Sequence, residues 1–305
     1  MMRIFKGKSS NQSCAKSNGS IAVLTAFIAI GTAIISSDRS AYADNPHADV
    51  LSIGGSVTEI IYALGQEHRL IARDTTSTFP PEALKLPNVG YIRALSPEGV
   101  LSVNPDLILS EEGAGPPEAL GVLKAAAIPF IEVPDGYDAD TVAAKIKAVG
   151  TALDVQDEAD ALARDIHDRI DAAVARAEAR STAPKRVMFV LSTQGGRIMA
   201  AGRDTSASAI IELAGGLNAL ESIQGYKPIS DEAIGLAAPD VIVMMDRGGD
   251  HSASDAELWA MPPIKLTPAA ETKSIVRMNG LLLLGFGPRV ADAIEDLSEA
   301  IYGKS

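Results

Sequence analysis

Two short segments combine residue types suited to holding a ligand. In Gly90-Tyr91-Ile92-Arg93 a phenol and a guanidinium stand two residues apart. In an extended segment residues i and i+2 point the same way, and a cation beside a phenol favours the phenolate. A tyrosinate is a hard oxygen donor for ferric iron, and tyrosine serves as an axial ligand of haem iron. The second segment, Met244-Met245-Asp246-Arg247-Gly248-Gly249-Asp250-His251, joins soft apolar side chains to a cation and a nitrogen donor. A haem needs that mixture: apolar walls for the macrocycle and polar groups for an axial water or a propionate. Taken singly, Tyr91 reads as an ordinary half-buried aromatic and Arg93 as a solvated charge, so the surrounding chain has to decide.

Catalytic alternatives find no constellation. The four histidines, His47, His68, His167 and His251, are scattered and lack metal-site spacing. There is no nucleophile elbow, no phosphate-binding P-loop and no complete Gly-x-Gly-x-x-Gly. His167 falls in a polar helical stretch and reads as a solvated surface residue. A non-enzyme is expected, with no catalytic cofactor.

The elements that must position these segments follow from hydrophobic periodicity. Residues 1–43 read as a cleaved export signal: Arg3, Lys6, Lys8 and Lys16, then an apolar run from Ile21 to Ile35, then Ala41-Tyr42-Ala43. The run is short for a spanning helix, which needs about 20 residues. The single cysteine, Cys14, precedes the run, so it is not placed for lipid attachment and would leave with the signal. Loss of residues 1–43 takes the net charge from −12 to 22 basic against 38 acidic residues, −16. With no basic stripe, nucleic acid is not an expected partner. A periplasmic monomer is expected.

Strand and helix signals then alternate. Strands are read at Asp49–Ile53, Leu107–Leu109, Pro129–Val133, Arg186–Leu191, Val241–Met245 and Ser274–Met278. Helices are read at Val57–Leu64, Pro117–Ala127, Ser206–Ala214 and Pro288–Tyr302. Ser56 is the expected N-cap of the first helix, with Glu59 closing a capping box.

Ser96-Pro-Glu-Gly-Val-Leu-Ser-Val-Asn-Pro-Asp-Leu-Ile-Leu109 is repeated as Ser230-Asp-Glu-Ala-Ile-Gly-Leu-Ala-Ala-Pro-Asp-Val-Ile-Val243, with Ser, Glu, Pro and Asp at the same offsets. Between the copies, Gln156 to Arg180 contains no Gly or Pro, and its apolar residues fall at steps of three and four. That spacing predicts one helix of about 25 residues, roughly 37 Å long. The expected architecture is α/β: two Rossmann-like lobes with parallel-type sheets, joined by one long bridging helix. The expected divisions are a signal at 1–43, an N-terminal lobe at 44–154, the bridge at 155–182 and a C-terminal lobe at 183–305. Ligands of such sheets meet loops after the strand C-termini. Here those loops are Thr75–Pro81, Val89–Ser96, Glu111–Pro117, Ser192–Gly196, Asp246–Ser252 and Leu284–Pro288.

With these features assembled, the chain resembles the substrate-binding proteins of iron-siderophore, cobalamin and haem importers. Within them it is similar to the periplasmic haem-binding proteins of bacterial haem ABC importers. The stretches that carry this are Ile71–Pro80, Gly90–Gly99, Ala201–Thr205, Gly225–Ser230 and Leu281–Arg289. The resemblance implies that Tyr91 is the axial ligand of ferric haem and that Arg93 is the basic residue bonding it. It implies haem contacts for Arg73, Tyr226, Arg247 and Met245. It also implies that Glu98 and Glu232, one per repeat, dock onto arginines of an ABC permease. A first-turn glutamate favoured by the helix dipole explains the same two positions locally. Some members place a second histidine ligand after the first strand of the second lobe, but Leu191-Ser-Thr-Gln-Gly-Gly196 has none. A ferric siderophore or cobalamin is the alternative cargo. Scarce aromatics count against the former, and scarce histidines against a zinc or manganese ion.

Overall fold

The computed structural model describes residues 48–246 and 253–303. The expected signal at 1–43, and Arg247 and His251, lie outside the described residues. No described helix is long and apolar enough to cross a membrane.

In the first lobe β1 (Val50–Ile53), α1 (Gly55–Ala63), β2 (Leu70–Arg73), α2 (Pro97–Leu101), β3 (Leu107–Glu111), α3 (Pro117–Ala125), β4 (Phe130–Val133) and α4 (Ala139–Ala152) follow in order. The strands pair as β2-β1-β3-β4, all parallel. A parallel sheet is covered on both faces, which is why β1 and β3 are near-continuous apolar runs. Alternate residues serve opposite layers. Val50, Leu107 and Leu109 face the α1 and α4 side, whereas Leu51, Ile53 and Ile108 join Val100 of α2 and Leu123 of α3.

The second lobe contains β5 (Arg186–Ser192), β6 (Ile198–Ala201), α6 (Ser206–Leu213), β7 (Leu217–Asn218), β8 (Tyr226–Ile229), α7 (Asp231–Ala237), β9 (Val241–Asp246), α8 (Asp255–Ala260), α9 (Pro262–Lys265), α10 (Pro268–Thr272), β10 (Ile275–Asn279), α11 (Gly280–Leu284) and α12 (Val290–Tyr302). Its sheet runs β10-β9-β5-β6-β8, with β7 beside β5. β10, β9 and β5 are parallel as expected, but β6 and β8 are antiparallel. Antiparallel neighbours accept a short connection, whereas a parallel crossover needs a dozen or more residues. The β5–β6 link holds Gly195 and Gly196, at φ 65° and 74°, and could reverse the chain only as a hairpin.

The sequence repeat has a structural meaning. Ser96 and Ser230 both cap a helix, accepting from Gly99 N and Ala233 N. Asn104 and Ala238, at equal offsets, both take left-handed φ values of 48° and 39° to turn the chain back to its sheet. The aspartate that follows then clasps the first strand of its own lobe. Asp106 accepts from Asp49 N at 3.0 Å and its N–H donates to Asp49 O at 2.8 Å. Asp240 does the same with Arg186, at 2.8 Å and 2.7 Å.

Between the lobes runs α5 (Gln156–Arg180), with the 25 residues its periodicity predicts. Ala159, Ala163, Ile166, Ile170, Ala173 and Ala177 form its buried stripe, packed along α4 on one side and α12 on the other. Arg169 bonds Asp292 at 2.9 Å, Arg176 bonds Glu295, and Arg180 bonds Glu299 at 3.3 Å. The Tyr302 hydroxyl donates to Gly215 O at 2.6 Å and accepts from Lys185 N at 3.2 Å.

Candidate functional site at the mouth between the lobes

The tyrosine segment is placed by β2 and by the loop after β3. Arg73 N donates to Pro87 O, Val89 N to Arg73 O and Thr75 N to Gly90 O, which lays residues 87–90 beside the end of β2. Leu95 N then donates to Gly115 O, and Gly115 N to Ile92 O. Between these staples the chain is a turn closed by Ala94 N donating to Tyr91 O at 2.8 Å. The extended geometry expected for Tyr91 to Arg93 is therefore absent, and strand alternation does not set their directions. Tyr91 is 48% exposed. Arg93 donates through Nη1 to Gly113 O at 3.1 Å.

Arg73 does different work from the contact expected of it. It is 8% exposed and donates to Ala83 O at 3.2 Å and Asp74 O at 2.9 Å. A buried guanidinium engaged by main-chain carbonyls braces its own lobe. Its neighbour Asp74, fully buried, accepts from Gly54 N, Thr76 N and Ser77 Oγ. This network shapes the turn that carries Phe79.

Ser56 also departs from expectation. Gly54, at φ 111°, is the N-cap of α1, and Ser56 lies inside the helix. Its hydroxyl donates to Glu111 Oε1 at 2.6 Å. Glu59, expected to close a capping box, instead receives Arg289 Nε at 2.9 Å and Nη2 at 2.5 Å. Arg289 belongs to the second lobe, so this pair joins the two. Its guanidinium also lies 3.6 Å from the centroid of the Phe79 ring. Burial pushes the Glu59 carboxyl above its ordinary value, opposed by Arg289.

A feature that sequence reading passed over lies beneath the mouth. Lys145 on α4 is fully buried and donates to Glu111 at 2.9 Å, Asp135 at 2.7 Å and Ser56 Oγ at 3.3 Å. Burial alone would lower this ammonium, but Glu111 and Asp135 outweigh it and hold Lys145 above its ordinary value. One cation thus fixes the ends of the β3 and β4 loops and the start of α1. The β4 loop was not among the expected ligand-facing loops, yet it brings Tyr137 against Phe286 of the second lobe, ring centroids 5.1 Å apart.

From the second lobe, Tyr226 is 36% exposed; its hydroxyl is 3.1 Å from Ser206 Oγ and its ring meets the Phe189 ring edge-on at 6.4 Å. Met245, half-buried on β9, packs its sulfur against Gly280, where a Cβ would come within 2.9 Å. Glu98 and Glu232 are exposed in the first turns of α2 and α7. Among the described residues no group of three or more His, Cys, Asp or Glu could hold a metal ion. A cavity of about 530 Å³ opens elsewhere, between β10 and α12, with Met278, Leu282 and Asp296 in its wall. None of the expected site residues lines it.

A family model described as periplasmic binding protein matches residues 50–280. Among solved structures, the periplasmic heme-binding protein BhuT, in complex with two hemes, is 39% identical over 83% of this chain and 97% of its own, with a TM-score of 0.78. The periplasmic heme-binding protein RhuT from Roseiflexus sp. RS-1 is 37% identical over 84% of this chain and 98% of its own, with a TM-score of 0.80. The vitamin B12-binding protein of Pectobacterium atrosepticum is 29% identical over 81% of this chain and 86% of its own.

Proposed function

Because the chain belongs to the periplasmic binding protein family, we propose that it captures haem between its lobes and hands it to the permease of an ABC importer. The observation that carries this reading is Tyr91: a half-exposed phenol on a loop stapled at both ends, in a chain 39% identical to a haem-binding protein. Tyr91 supplies the axial oxygen to ferric haem. Arg93, on the same turn, supplies positive charge near it. Tyr226 and Met245 offer phenol and thioether surface from the opposite lobe. Export of the chain to the periplasm and removal of residues 1–43 complete the reading.

Glu98 and Glu232 are proposed as the permease contacts. Each is exposed at the same place in its lobe, so a pair of basic sites related by a twofold axis could receive both.

The test is titration with haemin, followed by optical absorption. Wild-type protein should give a ferric spectrum of tyrosinate ligation, and Tyr91→Ala should abolish that spectrum and weaken binding at least tenfold. An unchanged spectrum in the variant would overturn the ligand assignment. A second reading, cobalamin as cargo, is favoured by the vitamin B12-binding relatives. Uptake of cyanocobalamin in place of haemin would establish it.

A further inference from the structure

Tyr137 stands out on the β4–α4 loop because everything around it is fixed and its hydroxyl is not. On one side Asp135 is held by the buried Lys145 at 2.7 Å. Gly136 lies so close to Thr141 that a Cβ there would come within 2.5 Å of its hydroxyl oxygen. On the other side Asp138 caps α4, accepting from Thr141 N at 2.7 Å. The Tyr137 ring rests on Phe286 from the other lobe, yet the residue is 37% exposed. Its hydroxyl finds no hydrogen-bond partner among the described residues. The ring is held at the contact between the lobes while the hydroxyl is open to solvent.

Burial, then the charges of Asp135 and Tyr226, hold the Tyr137 phenol above the ordinary tyrosine range, with Arg93 and Lys145 opposing. It remains a neutral O–H at physiological pH. Such a group is a donor and a poor ligand for ferric iron, in contrast to the role proposed for Tyr91. Arg93 donates to Gly113 O, and Asp135 N donates to Glu112, so the loop that carries Tyr137 runs beside the loop that anchors Arg93. A guanidinium and a phenol therefore stand on adjoining loops of the first lobe, with Phe286 of the second lobe against the phenol ring.

We propose that Tyr137 is a specificity-determining residue whose hydroxyl donates to a carboxylate of the cargo. It thereby selects a flat ligand bearing carboxylates over a neutral one of the same shape. The proposal rests on the haem reading above and adds to it a contact with the propionate edge. The loop is already ordered, so a hydrogen bond formed there does not first have to freeze its donor.

The probes are haemin and haemin dimethyl ester, which keeps the iron and the ring but has no free carboxylate. Tyr137→Phe keeps the ring on Phe286 and removes only the donor, so the fold is preserved. It should bind haemin roughly tenfold more weakly, as expected for loss of a hydrogen bond to a charged group, and bind the dimethyl ester within about twofold of wild type. The tyrosinate spectrum should be unchanged. Equal weakening for both probes, or none for either, overturns the proposal while leaving the haem reading intact, provided that Tyr91→Ala still loses its spectrum. If wild-type protein takes up neither probe, the haem reading fails and this proposal fails with it.

Discussion

A fully buried ammonium is tolerable only because its charge is answered on all sides. Lys145 has two carboxylates and a hydroxyl in contact. Removing it would leave Glu111 and Asp135 facing one another in a site built around a cation. Lys145→Met should therefore destabilise the protein by about 3–5 kcal/mol, the usual cost of stripping one partner from a buried pair, as a fall in the urea midpoint would record. A loss below about 1 kcal/mol would mean that water already solvates the carboxylates. This lysine was not legible in the sequence. Its partners lie on β3, on the β4 loop and at the start of α1, whereas at its own position it looks like one more lysine on an amphipathic helix. Ser56 and Glu59 were misread for the same reason. Their spacing fits a capping box, but partners brought by the fold took both side chains.

At the scale of elements, the repeat was the most legible feature, and its aspartates have the most local cause. Asp106 and Asp240 each clasp the first strand of their own lobe through one carboxylate and one main-chain bond. Asp106→Ala and Asp240→Ala should each cost about 1–2 kcal/mol, and in the double variant the two losses should add, since the sites share no partners. Strongly non-additive midpoints in chemical denaturation would show that the lobes do not bear these clasps independently. The long helix was also legible to the residue, because twenty-five positions of unbroken 3.6-residue periodicity leave no alternative. The antiparallel strands β6 and β8 were not. Each has only four residues, too few for a period to declare itself, and their direction follows from the length of a turn.

At the scale of the molecule, the lobes meet through Glu59 and Arg289 as well as through α5. Burial raises Glu59 more than Arg289 lowers it, so the folded protein keeps this proton to higher pH than the unfolded chain does. The stability linked to this group is therefore fully present below its unfolded value of about 4.5. It is lost as pH rises through the folded value. Measured against Glu59→Gln, which cannot titrate, wild-type stability should decline relative to the variant as pH increases from 4.5 towards neutrality. The opposite slope would mean that the arginine, not burial, governs the pair. Nothing in the sequence joined positions 59 and 289. The lobes and the bridge were readable, but the surface on which the lobes press together was not, because it is made of single residues from distant segments.

One of those residues carries no side chain. A Cβ on Gly55 would stand 2.4 Å from Leu281 of the other lobe and 2.8 Å from the main-chain oxygen of Thr76. There is room at this point for a hydrogen and nothing larger. Leu281 can swing a methyl aside, but the Thr76 oxygen is main chain of Gly55's own lobe and cannot, so a single added carbon would strain the seat of the turn that carries Phe79. Gly55 thus lets the second lobe rest directly on main chain at the start of α1, a seat that a residue with a side chain could not offer unchanged.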